Sequence, residues 1–132
     1  MYRSLFILIF VLGLQGCTGE RLPSLTGKVE IKAHPDLKFR SDSLEFQSIE
    51  DPNQFAYGQL TDSGSFEVET LLDGKITQGL PPGKYRARLV ISDDDIDHKR
   101  SLQAKIEKRY LSFETSGWEV EVPGKDIRLT IQ

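Results

Sequence analysis

The chain has 132 residues, 17 basic against 20 acidic side chains for a formal charge of -3, and 38% hydrophobic residues. That balance excludes a basic nucleic-acid binder, which would need a clustered cationic face, and the length allows one domain but not two. A single cysteine, Cys17, excludes an intrachain disulfide, so the fold must rest on its own core.

The first element is the apolar run Leu5 to Leu14, "LFILIFVLGL". It falls well short of the ~20 residues a helix needs to cross a bilayer core. Arg3 precedes it and Gln15-Gly16 follow, the charged, apolar, small-residue order of a secretory leader. Residues 1–16 are therefore expected to be a cleaved signal peptide. Leu14-Gln15-Gly16-Cys17 resembles the lipobox of bacterial lipoproteins, with Gln15 bulkier than the usual residue there. The resemblance implies that Cys17 is diacylated and becomes the new N-terminus, so that the protein is exported and lipid-anchored to the cell envelope. Thr18, not being Asp, implies onward sorting to an outer membrane where the envelope has one. Two or more acyl chains make a stable anchor where one is marginal, at ~0.8 kcal/mol per buried CH₂. Residues 17–24 then read as the lipidated cysteine and a short linker, whose extended reach is no more than roughly 25 Å.

From Leu25 to Gln132 the governing signal is alternation with a period of two, which puts every second side chain on one face of a strand. It is seen in "GKVEI" with Val29 and Ile31, in "SLEFQ" with Leu44 and Phe46, and in "SFEVET" with Phe66 and Val68. "KYRARLVIS" aligns Tyr85, Ala87, Leu89 and Ile91, and the closing strands align Trp118, Val120 and Val122, then Ile127, Leu129 and Ile131. With "FAYGQL" these make seven strands. Thr61-Asp62-Ser63-Gly64-Ser65 has hairpin-turn chemistry, and Pro123-Gly124-Lys125 separates the last two strands. Short, regularly spaced strands of this kind predict an all-β, antiparallel seven-stranded sandwich, immunoglobulin-like in its layering. Ser92 to Arg109 reads as one long connection, and over Ser101 to Tyr110, "SLQAKIEKRY", the four-residue spacing of Leu102, Ile106 and Tyr110 leaves a helical turn and an irregular loop as alternatives.

The order "LTGKVEI", "GQLTDSGSFEVET", "GLPPGKYRARLVI", Ile-x-x-x-Tyr and "GWEVEVPGKDIRLTIQ" resembles the small bacterial lipoproteins with a carboxypeptidase regulatory-like domain, which is transthyretin-like. The most specific pieces are the turn-then-aromatic at Gly64 and Phe66, and Pro82-Gly83 leading to Tyr85. Gly64 is expected to supply a positive φ, Phe66 an inward ring, Pro82-Gly83 a type II turn, and Tyr85 a buried body with a hydroxyl that reaches backbone. "KAHPDLKFRSDS" and Lys105 depart from the family pattern. The resemblance implies a non-catalytic module with no common ligand.

Asp93, Asp95 and Asp97 have the alternation that opens a calcium loop. The Gly and Glu required at the sixth and twelfth positions are His98 and Ala104, so a solvated, charge-balanced loop is favoured over a weak metal site. His34 and His98 have no partners at metal spacing, no Gly-x-Ser-x-Gly elbow is present, and no cofactor is expected. Trp118, Tyr57 and Tyr110 could form a sugar platform, although Trp118 is in phase with Val120 and Val122 and reads as core. The cations Lys99, Arg100, Lys105, Lys108 and Arg109 read as a solvated face, with anionic lipid heads as the alternative contact. The expectation is a non-enzymatic, membrane-anchored interaction or structural module with an envelope protein or glycan as partner. The alternative is a glycan- or Ca²⁺-binding module that uses residues 93–109.

Overall fold

The computed structural model describes residues 21–132. Among these described residues eight strands form in chain order: β1 (Leu25–Ile31), β2 (Ser43–Ser48), β3 (Phe55–Gln59), β4 (Ser65–Leu72), β5 (Lys75–Gln78), β6 (Gly83–Val90), β7 (Glu119–Val122) and β8 (Gly124–Ile131). One helix, α1 (Ile96–Lys105), and a single 3-10 turn at Lys108–Leu111 lie between β6 and β7. The all-β reading holds. Strand order along the sheet is β7-β6-β2-β3-β4-β1-β8, with β5 paired to β4 beside that path.

The two ends of this order, β7 and β8, are consecutive in the chain and separated only by Pro123. The sheet must therefore curl until its ends meet, and it is nearly closed. This crossing also corrects the antiparallel expectation. β8 lies parallel to β1, in register from Gly27 opposite Ile127 to Ile31 opposite Ile131, while the other pairings are antiparallel. Period-two alternation reports which face a residue takes and is blind to strand direction.

The strand beyond the expected seven is β5. Asp73 and Gly74 join it to β4, with φ of 49° and 75°. Two positive φ values define the type I′ turn of a two-residue hairpin, for which Asp-Gly is the favoured sequence. β5 is exposed along nearly its whole length, so it carries no apolar alternation to betray it.

Inward side chains follow the expected phase. Leu44 and Phe46 of β2, Phe66 and Val68 of β4, and Tyr85, Ala87 and Leu89 of β6 are all buried. Phe46 stands between Ala56 of β3 and Ala87 of β6, so that two small neighbours make room for one ring, which packs on Phe66 at 5.9 Å between centroids. Trp118 is buried as expected, 5.0 Å from the Tyr110 ring, and its indole N–H donates to the Thr130 carbonyl at 3.3 Å. Leu102, Ile106 and Tyr110 are buried too, the first on α1, the second at its C-cap and the third in the 3-10 turn.

Two glycines are fixed by space. A Cβ on Gly27 would run into the Ile127 carbonyl oxygen of the parallel partner and come within 2.8 Å of the Phe66 ring. Gly64, with φ of 90°, lies against the Val29 carbonyl and donates its N–H to Thr61 at 2.9 Å. At Gly74 nothing lies within 4 Å. Gly27→Ala is therefore expected to lower unfolding free energy by about 1–3 kcal/mol through overpacking. Gly74→Ala, which meets only the left-handed backbone penalty, should lower it by about 1 kcal/mol. Urea denaturation of the two variants measures the difference.

Candidate functional site

The chemically richest cluster gathers where β2 begins. Asp42, immediately before β2, is wholly buried. Its Oδ1 accepts from the Ser92 N–H at 2.9 Å, and its Oδ2 accepts from the Arg40 N–H at 2.9 Å and from His98 Nε2 at 2.7 Å. Its own carbonyl accepts from the Leu60 N–H at 2.9 Å. One carboxylate thus ties together the approach to β2, the end of β6 and the first turn of α1. An acid bonded to a histidine ring is the orienter-and-base half of a nucleophilic constellation. Here His98 is buried, and its Nε2 is bonded to Asp42. His98 borders an open hollow of about 380 Å³ shared with Leu37, Arg40, Asp97 and Ser101, but no hydrogen bond joins Ser101 to the imidazole. The pair pins the helix to the sheet.

The acidic run lies at the start of α1. Asp95 is the N-cap of α1, with extended φ of -128°, and accepts from the His98 N–H at 3.0 Å. Asp93 pairs with Lys99, Asp97 sits in the first helical turn, and Arg40 reaches Asp95 at 3.6 Å. Among the described residues no group of three or more His, Cys, Asp or Glu could hold a metal ion. The segment from Ser92 to Arg109, expected as a long connection, is mostly ordered as α1, which starts before the Ser101 to Tyr110 stretch where a helical turn was the alternative. Of the basic set, Lys99 is paired with Asp93, and Arg109 bonds Glu107 at 3.0 Å while covering the Tyr110 ring at 4.5 Å.

The residues of the family-like motifs serve the fold. Gly64 has its positive φ, and Phe66 is buried. Tyr85 is buried, and its hydroxyl donates to the Pro81 carbonyl at 2.7 Å. Burial, and after it the Glu50 charge, raises the Tyr85 hydroxyl above the usual tyrosine range. Gly83 departs from expectation: it is already the first residue of β6, opposite Val122, with φ of 144°. A type II turn needs about +80° there, so Pro82 and Gly83 make a bend that runs into the strand. Cys17 and the leader at 1–16 lie outside the described residues.

Among the described residues, exposed large apolar side chains occur at Ile49 and Ile96 and, in a group that the sequence reading missed, around the β4–β5 hairpin. Leu71 and Ile76 stand directly opposite each other on β4 and β5, 62% and 75% exposed, and Leu72 adds 36% beside the turn. Tyr57 shares their face one row away, where Tyr57, Glu69 and Gln78 are aligned across β3, β4 and β5. Gln78 Nε2 donates to Glu69 Oε1 at 3.2 Å. The chain arrives at this corner: the Pro23 carbonyl accepts from the Leu80 N–H at 3.1 Å, and the Leu22 and Pro23 carbonyls press on Gly79 just past β5. The Asp73-Gly74 dipeptide between Leu72 and Lys75 was the signal that could have revealed the hairpin.

No protein-family model, curated protein or solved structure matches the chain.

Removing Asp42 leaves the Ser92 N–H, the Arg40 N–H and the buried His98 ring without their acceptor, at about 1–3 kcal/mol for each group left unsatisfied, so Asp42→Ala should lower unfolding free energy by about 3 kcal/mol in chemical denaturation. The Asp95 cap has a pH signature. The His98 N–H, first among several groups, holds the Asp95 carboxyl below the ordinary aspartate range. A lowered folded value means that the stabilisation is present above the unfolded value and is lost as pH falls through the folded one. Asp95→Ala should therefore melt below the parent at neutral pH, and the gap should close in thermal scans taken from about pH 5 to about pH 2.

Proposed function

We propose that the chain is a membrane-anchored, non-catalytic lipoprotein of the cell envelope that works as an interaction or structural module. In this reading residues 1–16 are the leader, 17–24 the acylated Cys17 and its linker, and 25–132 the working domain. The finer fold reading goes with it: a transthyretin-like sandwich related to carboxypeptidase regulatory-like domains. The way β4 divides its partners supports that layering, since Ser65 to Glu67 pair with β1 while Val68 to Leu72 serve β3 and β5.

The observation that carries the functional reading is how the side chains are used. Asp42, His98 and Asp95 are engaged in holding α1 to the sheet. Leu71, Leu72 and Ile76 are exposed together on the β4–β5 hairpin, at whose base the linker joins the domain. Exposed apolar side chains grouped on one hairpin mark a site of contact with something else. The lipobox-like Leu14-Gln15-Gly16-Cys17, eight residues before β1 starts at Leu25, supplies the anchor.

The test is intact-protein mass and membrane fractionation of the wild type beside Cys17→Ala. The wild type should begin at Cys17, carry acyl mass and stay with the membrane, and the variant should lose both the acyl mass and the membrane association. A variant that remains membrane-bound to the same extent as the wild type overturns the reading.

A further inference from the structure

We infer that the β4–β5 hairpin is a second membrane contact: Leu71, Leu72 and Ile76 dip into the headgroup and acyl boundary of the phospholipid leaflet that holds the anchor. The inference rests on the proposed acylation of Cys17 and says what the exposed surface meets.

Direction comes first. β1 is antiparallel to β4, with Thr26 opposite Glu67 and Lys28 opposite Ser65. Followed backwards from Leu25, the chain therefore runs the way β4 runs forwards, towards Asp73 and Gly74. β1 and β5 use the same edge of β4 one after the other, and Pro23 bonds to Leu80 where they meet. The linker thus leaves the domain on the side to which the hairpin points.

Length comes second. From Leu22, held against Gly79, to Cys17 is five residues, and an extended chain covers at most roughly 17 Å in that number. From Gly79 to the tip at Gly74 is also five residues, again roughly 17 Å along a strand. A cysteine acylated at headgroup level keeps Gly79 within that distance of the surface. The hairpin then reaches the surface without stretching the linker.

Chemistry decides between lipid and protein. A stable protein interface covers about 800 Å² on each partner, and three side chains at a hairpin tip fall well short of it. A few apolar side chains entering the boundary region suit a surface that is already tethered, because the anchor has removed the need for the hairpin to bind on its own. Asp73 and Lys75, both exposed at the turn, offset each other in charge and stay at headgroup level.

The test places a diazirine-bearing residue at position 71, 76 or 62 of the full chain, irradiates intact membranes, and records phospholipid adducts together with the acyl mass on Cys17. Asp62 lies in the turn before β4, roughly 25 Å from the hairpin along the strand, so lipid adducts at 71 and 76 should exceed those at 62 by about tenfold. Acylated Cys17 with protein adducts, with no adducts at 71 and 76, or with equal labelling at all three positions overturns the hairpin contact and leaves the anchor standing. Unacylated Cys17 removes the anchor and the hairpin contact together.

Discussion

The parallel pairing of β1 with β8 is the constraint on which the rest of the architecture depends. β8 follows β7 after one residue, yet the two strands sit at opposite ends of the sheet order. That is possible only if the sheet bends until its ends approach, and the bend creates the interior that Phe46, Tyr85 and Ile131 fill. Gly27 is needed because the backbone of β8 passes where its Cβ would be. The closing contacts join residues about 100 positions apart, so the chain must be largely collapsed before its first and last strands can meet, a topology that favours slow folding.

Asp42 does for the helix what β8 does for the sheet. A carboxylate removed from water is tolerable only when its lone pairs are occupied, and this one has three donors from three segments. The cluster is high in stakes: fully satisfied it fixes α1, and with one member missing it leaves buried polar groups without partners. On the outer face Arg88 plays a looser part, bonding Glu45 at 2.9 Å and lying over the Phe113 ring at 4.8 Å.

The seven alternating strands were legible because each has one wet and one dry face, and Gly64, Phe66 and Tyr85 because local turn chemistry and ring size dictate their places. β5 was not, since Lys75 to Gln78 are nearly all exposed and alternation needs a buried side to show. The Asp42–His98 pair was invisible for another reason: its members are 56 residues apart and meet only once the sheet has folded. Asp93, Asp95 and Asp97 illustrate ambiguity of type, because an acidic residue before a helix and one in a calcium loop are chemically the same until the backbone decides between them. Strand direction at β8 was beyond any periodicity, which is identical for parallel and antiparallel neighbours.

The placement of the first and last strands side by side and parallel also determines how the domain carries a mechanical load. Tension drawn through the linker enters at the start of β1, and tension on the far end of the chain leaves at the end of β8, so the two forces act in opposite senses along adjacent strands. The hydrogen bonds between them lie across that axis and are strained together in shear, whereas a hairpin pulled at its open end unzips one rung at a time. The Glu30–Arg128 bond at 2.7 Å adds a side-chain strut across the same seam. A domain held at one end and tugged at the other is thus clamped along its strongest direction.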